Sequence, residues 1–301
     1  MSKRAREHEC RKAPTVKNKK KSNFRLILRH MLQNKGAIVG LIIISILILI
    51  SLFINFIFDY EKDVIAQDFA TMLQRPSAKH WFGTDHLGRD LFARVLYGTR
   101  FSLSVGVVSV LIAVLIGIPL GAVAGYYEGL VGEVIMRITD IFSSIPAVLL
   151  AIVIVSALGT SMFNLMLAVG ISSVPQFIRI TRASVLTVRN QEFIESARAI
   201  GKPEWYIIFV HVLPNCLSPI IVQVTLRIAN AIILASSLSF LGLGVTEPTP
   251  EWGALLSAGR NYIRGYGYLT FIPGLAIMIT VLAFNLVGDA LRDALDPKLR
   301  K

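Results

Sequence analysis

Few residues in this sequence are placed to perform covalent chemistry. The histidines fall in tails, in polar loops or at the boundaries of apolar segments, at His8, His30, His80, His86 and His211. No Gly-x-Ser-x-Gly sequence is present, and no apolar segment carries the Ser–His pair or paired aspartates that an intramembrane hydrolase needs. Gly201-Lys202 lacks the remainder of a Gly-x4-Gly-Lys-Ser/Thr phosphate loop. The sequence therefore argues against an enzyme, and against an ATP site built by this chain alone.

Residues 190–214 are instead a polar, helix-forming insert between long apolar segments. Asn190 is placed to cap a short helix, and Phe193, Ala197 and Ile200 then recur on one face. We expect this apolar face to be the one that meets a neighbouring surface.

The centre of the same insert has the residues of a bend. Gly201 is placed to end the first helix with a left-handed residue, and Pro203 suits the first turn of a second helix. A partner protein could bind such a helix–glycine–helix elbow. An ordinary loop between two membrane helices is the alternative.

One charge interrupts an otherwise apolar segment. Arg227 lies fifteen residues into the segment 212–241, and Asn230 follows it by three residues. A charge near the middle of a bilayer is costly and normally faces the interior of the protein or a water-filled path. Structural pairing and a role in lining such a path both remain open for Arg227.

The composition identifies a membrane protein. Hydrophobic residues make up 54% of the 301 positions, mean hydropathy is +0.62 and charged residues account for 17%, whereas soluble domains carry roughly 25% charged residues. Cys10 and Cys216 have no partner histidines, so we expect neither a metal site nor, on the inner side of a membrane, a disulfide.

The net charge of +12 is concentrated at the N-terminus, because residues 1–36 hold twelve Lys or Arg against two Glu. A basic tail can bind nucleic acid, but directly before a membrane helix it more often marks the cytoplasmic side. We therefore predict no nucleic-acid partner and place the tail, residues 1–35, in the cytoplasm.

The apolar segments predict an all-α integral membrane protein with six transmembrane helices. Residues 141–178 contain no charge, and one helix of that length would extend about 57 Å, nearly twice the hydrocarbon thickness. Gly159-Thr160-Ser161 is the natural turn within this interval. The six predicted spans are residues 36–58, 101–127, 141–158, 162–179, 212–241 and 269–288.

This topology places the polar segments on two sides. The near-neutral loops 59–100 and 242–268 fall outside, and residues 179–211 and both termini fall in the cytoplasm. The chain is thus divided into the tail 1–35, a first helix with its outer loop at 36–100, a five-helix core at 101–290 that includes the insert 190–214, and a cytoplasmic C-terminal tail at 291–301.

The insert also matches a family pattern. Glu195-x-Ala197-x3-Gly201, followed after eleven intervening residues by Leu213-Pro214, resembles the "EAA" loop of permease subunits of ABC importers. Ser196 replaces the first alanine of that pattern, and His211 stands where isoleucine is usual.

Further segments narrow the resemblance to the "C" permease of the dipeptide/oligopeptide importer group, over about residues 24–300. They are Trp81-Phe-Gly-Thr-Asp85-His-Leu-Gly88-Arg89-Asp90, Arg137-Ile-Thr-Asp140, Leu238-Ser-Phe-Leu-Gly-Leu-Gly244 and Pro248-Thr-Pro-Glu-Trp252. The resemblance implies a type I importer permease fold in which the elbow is a cytoplasmic coupling helix that docks onto an ATPase.

The resemblance also implies site residues. The ATPase-coupling residues would be Glu195, Ser196, Ala197, Arg198, Gly201, Lys202, Pro203 and Pro214. An extracytoplasmic gate or binding-protein contact would use Asp85, Gly88, Arg89, Asp90 and Trp252. For Gly88-Arg89-Asp90 a plain solvated loop is the alternative. Arg227 and Asn230 would line the translocation path.

The implied assembly lies in a bacterial inner or plasma membrane. It contains a second, paralogous permease subunit, two cytoplasmic ATPases that bind ATP and magnesium, and an extracytoplasmic substrate-binding protein. This chain itself would bind the bilayer and hold no cofactor or metal. Peptides are the expected cargo, with nickel, glutathione or a metal chelate as alternatives.

A channel is a further alternative function. It would need a selectivity filter or rings of charge around a pore, and Arg227 is the one ionisable residue deep in a predicted span. Co-purification of ATPase subunits with this chain would separate an importer permease from a channel.

Overall fold

The computed structural model describes residues 31–127 and 129–295, and this part of the chain is helical without a β-sheet. Most of the predicted basic tail and the last six residues lie outside the described residues. The helices of eight or more residues are α1 (Lys35–Ile57), α2 (Leu91–Tyr126), α3 (Leu130–Ser144), α4 (Ala147–Leu158), α5 (Met162–Val188), α6 (Glu192–Ala199), α7 (Leu217–Phe240), α8 (Trp252–Gly259) and α9 (Tyr268–Leu295).

The pair α2 and α5 forms the centre of the bundle. Gly117, Gly121 and Gly125 recur every four residues along α2 and face α5. A Cβ atom built on Gly121 would lie 2.6 Å from the carbonyl oxygen of Ile178, so these glycines let the two backbones approach closely. Helix α2 runs unbroken past Gly117 and Pro119. The role of Gly117 in the structure is close packing.

Helices α1, α7 and α9 pack beside this pair. Gly40 on α1 lies against the Ala283 backbone of α9, and Gly288 on α9 lies against Leu226 of α7. Met31 shares a buried cluster with Val287 and Ala294. The beginning of α1 and the end of α9 therefore lie at the same end of the molecule.

The polar loops gather at the opposite end. The Tyr268 hydroxyl lies 2.9 Å from the carbonyl oxygen of Gln74 and 3.0 Å from that of Thr84. Arg89 Nη2 donates to Glu247 Oε1 over 3.0 Å. Helix α2 starts at this loop end and finishes at Tyr126, where the elbow packs. The loops 59–90 and 242–267 therefore lie at one end of α2 and the elbow at the other, as the sequence predicts.

Within the described residues, five helices are long and apolar enough to cross a membrane: α1, α2, α5, α7 and α9. The predicted third span differs, because α3 and α4 meet at Ile145-Pro146 with a bend of 87°. Proline cannot continue the hydrogen-bond ladder of a helix, and α4, with 12 residues, is only about 18 Å long. Six spans are reached only if this bent pair counts as one.

Several predicted boundaries are also corrected. The outer loop ends at Asp90 rather than residue 100, since the Asp90 side chain caps α2 by accepting from the Ala93 amide at 3.0 Å. The fourth span continues to Val188, the fifth begins at Leu217, and the sixth continues to Leu295, into the predicted tail. The predicted turn after Gly159 is confirmed by its φ of +87° and by the start of α5 at Met162.

Candidate functional site

The elbow consists of α6, a bend at Gly201 and the segment Glu204–Asn215, whose middle part is a π-helix over Ile207–Val212. Gly201 has a φ of +77°, as its position predicts. Its amide donates to the Arg198 carbonyl over 2.9 Å, and the Lys202 amide donates to the Ala197 carbonyl over 3.2 Å. These bonds satisfy carbonyls at the end of α6.

The beginning of α6 differs from the prediction. Gln191, not Asn190, is the capping residue, and its side chain makes no capping hydrogen bond. The Gln191 carbonyl accepts from the Ile194 amide at 2.9 Å, while Asn190 belongs to the preceding turn. The helix therefore starts one residue later than the capping pattern suggests.

The inner face of the elbow packs on this chain's own helices. Ile194, Ala197 and Ile207 are buried in a cluster with Tyr126 of α2 and Val185 of α5. The expectation that Phe193, Ala197 and Ile200 share one apolar contact face is thus wrong. Ala197 points inward and is 8% exposed, whereas Phe193 is 41% and Ile200 77% exposed.

The outer face of the elbow is both polar and aromatic. Ile200 and Trp205, which is 63% exposed, project on either side of Gly201. Of the sequence-predicted residues, Glu195, Ser196, Gly201, Lys202, Pro203 and Pro214 are exposed on this segment. Trp205 and Phe209 were not among the predicted contact residues, although apolar residues in an otherwise polar insert were a signal for them.

Arg198 is directed toward α2. Its Nε donates to the Tyr126 hydroxyl over 3.1 Å, and its guanidinium carbon lies 5.0 Å from the centre of the Tyr126 ring. Arg198 thus joins the elbow to the bundle from an exposed position.

Cys216 lies where the elbow joins α7 and is 1% exposed. Burial raises the pKa of its thiol from 9.0 to about 11. The thiolate is therefore scarce at neutral pH, as expected of a core cysteine rather than a reactive one.

Arg227 lies in the middle of α7 and is only partly buried. Its Nε is shielded from solvent and has no hydrogen-bond partner among the described residues. Asn230 is exposed on the same helix, and its amide donates to the Leu226 carbonyl over 3.0 Å. Among the described residues no carboxylate forms an ion pair with Arg227, and part of its side chain is exposed on α7.

The loop end holds a buried ionic cluster. Asp85 Oδ2 lies 2.6 Å from Arg89 Nε and 3.6 Å from Arg94 Nε, and both arginine side chains are 1% exposed. Arg89 also pairs with Glu247. Arg94 and Glu247 were not predicted as site residues, since a sequence shows neither which loop charges are buried nor which pair across 150 positions.

Trp252 belongs to the same end and is almost fully buried. Its Nε1 donates to the Val95 carbonyl over 2.9 Å, and its amide donates to Ser102 Oγ over 3.1 Å. The preceding Glu251 accepts from the Gly253 and Ala254 amides at 2.9 Å. These bonds attach α8 to the first turns of α2.

In this conformation the side chains of Asp85, Arg89 and Trp252, three of the five predicted gate residues, are buried and offer no open contact surface. Gly88, in the turn between Asp85 and Arg89, has a φ of +79°. Asp90 is partly exposed and pairs with His80 Nδ1 at 2.7 Å while capping α2.

Within residues 31–127 and 129–295, His, Cys, Asp and Glu form no group able to hold a metal ion. The geometry of this region is that of a multi-pass helical membrane protein with an exposed elbow between two of its long helices.

Comparison with known families agrees with that class. Residues 117–301 match the family described as binding-protein-dependent transport system inner membrane component, and residues 22–76 match the N-terminal transmembrane domain of oligopeptide transport permease C. The chain belongs to the family of inner membrane components of binding-protein-dependent transport systems. The resemblance drawn from the sequence is thereby confirmed.

Similar proteins match over nearly the whole chain. The dipeptide transport system permease protein DppC of Alkalihalophilus pseudofirmus is 47% identical over 93% of this chain and 91% of its own length. The glutathione transport system permease protein GsiD of Pectobacterium atrosepticum is 43% identical over 95% of each chain. The di/tripeptide transport system permease protein DppC of Pseudomonas aeruginosa is 43% identical over 89% of each.

A solved structure shares the fold. A chain of the MetNI methionine ABC transporter in an inward-facing conformation superposes with a TM-score of 0.55, at 20% identity, over 67% of this chain and 96% of that chain. The predicted type I importer permease fold is thereby confirmed. This chain is the membrane component of a transport system and not an enzyme.

Proposed function

We propose that this chain is one of two paralogous permease subunits of an ATP-driven importer of peptides. Two cytoplasmic ATPases bind ATP and magnesium, and an extracytoplasmic binding protein delivers the cargo. The exposed elbow carries the proposal, because a membrane component that lacks a nucleotide site needs a surface through which a separate ATPase acts on it. The family membership supports the same assembly.

The elbow is suited to dock in a groove. Ile200 and Trp205 are large exposed apolar side chains, and they are flanked by Glu195, Ser196 and Lys202. Interfaces commonly place such apolar anchors inside a polar rim. Ala197 lies on the opposite, buried face of α6 and allows α6 to pack closely on α2 and α5. A larger side chain there would displace α6 from both helices.

A photocrosslinking residue tests this docking directly. We expect benzoylphenylalanine at position 200 to form an adduct with the ATPase subunit in the assembled importer. The matched control is position 263, where Ile263 is 59% exposed at the loop end of the molecule. An adduct with the ATPase at 263 and none at 200 would overturn the docking surface.

Arg227 and Asn230 are proposed to line the translocation path, at the face of α7 that meets the second permease subunit. A partly exposed arginine at mid-bilayer is too costly to face lipid, so the open face of α7 must meet protein or water. A peptide carboxylate is a ligand of suitable charge for a guanidinium group there.

Peptides are favoured as cargo by the relatives, whose names specify dipeptides, di/tripeptides and glutathione. Glutathione is itself a peptide-type cargo, and none of these names favours nickel or a metal chelate.

The orientation is proposed from the charges. The elbow and both termini lie in the cytoplasm, and the loops 59–90 and 242–267 lie outside a bacterial inner membrane. The buried cluster of Asp85, Arg89 and Arg94, together with Gly88, Asp90 and Trp252, would then hold the surface that the binding protein meets.

A further inference from the structure

Trp81 is a large aromatic side chain that the fold leaves exposed at the loop end of the molecule. It lies in the segment between α1 and α2 and is 65% exposed. The other two tryptophans lie elsewhere, since Trp252 is almost fully buried and Trp205 is 63% exposed on the elbow. The Trp81 indole makes no hydrogen bond within the described residues. Its N–H group is therefore available to an acceptor outside the described chain.

A row of aromatic rings connects Trp81 to the end of α1. The centre of its ring lies 5.0 Å from that of Phe92, in the first turn of α2. The Phe92 ring in turn lies 6.2 Å from the ring of Phe58, the C-terminal cap of α1. Phe82 packs edge-on against Phe92 at 5.0 Å. These contacts place the indole at the level where α1 ends.

The end of α1 marks one boundary of the hydrocarbon core. Helix α1 has 23 residues and is about 35 Å long, close to the thickness of about 30 Å that a span must cross. It is the least buried of the five membrane-spanning helices, so it lies at the edge of the bundle. In its last turn Phe56 is 85% and Ile57 63% exposed. Acyl chains are the surroundings that such side chains favour.

A polar groove begins at the same level. Its volume is about 340 Å³, and it is lined by Phe58 together with charged or titratable side chains, among them Lys62, Asp63, Lys79 and His80. Charges of both signs suit hydrated headgroups and water and are costly in hydrocarbon. The change from apolar to charged surroundings thus falls at Phe58, which is the level of Trp81.

We propose that Trp81 is an interfacial anchor, with its indole among the phospholipid headgroups and the adjoining acyl chains beside the end of α1. The ring buries apolar surface against the acyl chains, and the N–H group donates to a phosphate or ester oxygen. The partner is the lipid surface itself. The anchor holds the segment between α1 and α2, with its Asp85 cluster, against the membrane on the side of α1. This inference needs a bilayer around α1 and depends on neither cargo nor ATPase.

Quenching of tryptophan emission by brominated phospholipids tests the anchor. The complete importer is reconstituted in bilayers whose acyl chains carry bromine near the headgroup, near the methyl end, or not at all. The Trp81 signal is the difference between the wild-type and Trp81→Phe spectra, because phenylalanine keeps a ring against Phe92 and the other tryptophans cancel. We expect bromine near the headgroup to remove most of the Trp81 emission, and bromine near the methyl end to remove less.

The matched control is Trp205, which has nearly the same exposure but lies on the elbow. Its signal, obtained from Trp205→Phe in the same way, should not respond to either brominated lipid. Trp81→Leu supplies the difference spectrum if the Trp81→Phe complex does not assemble. Iodide in the aqueous phase adds a second readout and should quench Trp81 only weakly.

The anchor is refuted if brominated lipid quenches Trp81 no more than it quenches Trp205. Free access of iodide to Trp81 that is lost when the binding protein is added would also refute it, because the indole would then contact protein. Stronger quenching by bromine near the methyl end would place the indole deep in hydrocarbon and contradict an interfacial position. Each of these results leaves the proposed function standing, since that function fails through the crosslinking at position 200 instead.

Discussion

At Gly201 the backbone φ of +77° is one that side-chain-bearing residues rarely adopt, and the space around it is open. The requirement for glycine is thus conformational rather than steric. We expect Gly201→Val to cost about 1–2 kcal/mol locally and to change the angle between the two parts of the elbow that Gly201 joins, because a β-branched residue is poorly tolerated there.

The matched variant is Gly201→Asn, since asparagine adopts positive φ more readily than other residues. The valine variant should lose most ATP-dependent uptake while the membrane helices remain folded, and the asparagine variant should keep most of it. Equal uptake by both variants would show that the bend does not need this conformation. Circular dichroism of the purified chain monitors folding.

Arg227 is the second test at this scale. Arg227→Gln should lower peptide uptake about tenfold or more with the assembled complex and basal ATP hydrolysis retained, because it removes the charge that we propose faces the path. Thr225→Val, on the same helix, is the control and should have little effect, since its hydroxyl donates only to the Ile221 carbonyl. If the Arg227→Gln complex fails to assemble, instead of assembling and losing only uptake, then Arg227 has a structural role as the partner of a buried group.

At the scale of elements, the loop cluster attaches the outer segments to α2. Asp85 lies between Arg89 and Arg94, so Asp85→Asn leaves Arg94 without a paired carboxylate and Arg89 with Glu247 alone. We expect it to destabilise the loop end by about 3–5 kcal/mol and to lower the thermal unfolding temperature measured in detergent.

A matched comparison is Asp140→Asn. Asp140 pairs with Arg179 at 2.8 Å, but both side chains are at least half exposed, and exposed ion pairs contribute little. Equal thermal stability of the two variants would show that the Asp85 cluster does not hold the loops.

The elements themselves were partly predictable. The turn after Gly159 followed from span length and residue type, and the bend at Gly201 followed from glycine and proline placement. The residues Ser143-Ser-Ile-Pro146 allowed a bend, but the size of the bend, 87°, was not predictable. Proline also occurs inside other helices here without breaking them, at Pro119, Pro175 and Pro273. Whether a helix continues past a proline depends on its tertiary packing, which cannot be read from the local sequence.

The site was predictable to a similar extent. The motif located the elbow, but it did not show that Ala197 faces inward or that Ile200 and Trp205 face outward. The orientation of α6 is set by the long-range cluster with α2 and α5. The contact of Tyr126 with Arg198 likewise joins residues 72 positions apart, beyond the reach of helical periodicity.

At the scale of the whole molecule, topology is the first prediction. Cysteines introduced by Ala78→Cys and Arg264→Cys should react with an impermeant maleimide on intact cells, because both positions are exposed at the loop end. Gln191→Cys, at the elbow, should react only after permeabilisation. Reaction at the elbow on intact cells, with protection of both loops, would invert the orientation.

The native thiol at Cys216 provides the internal control for this experiment. Its burial and its raised pKa, about 11, leave roughly one thiol in a thousand ionised at pH 8. Background labelling should therefore stay low at pH 8 in a Cys10→Ser chain and appear on unfolding.

The most direct test of the account is uptake of a radiolabelled dipeptide by proteoliposomes that contain this chain, its paralogous permease, the ATPases and the binding protein. The account predicts that the dipeptide accumulates above its outside concentration only when ATP and the binding protein are both present. It also predicts that accumulation is lost in Gly201→Val. Dipeptide flux that proceeds without ATP and stops at equal concentrations would contradict it, since that is the behaviour of a channel.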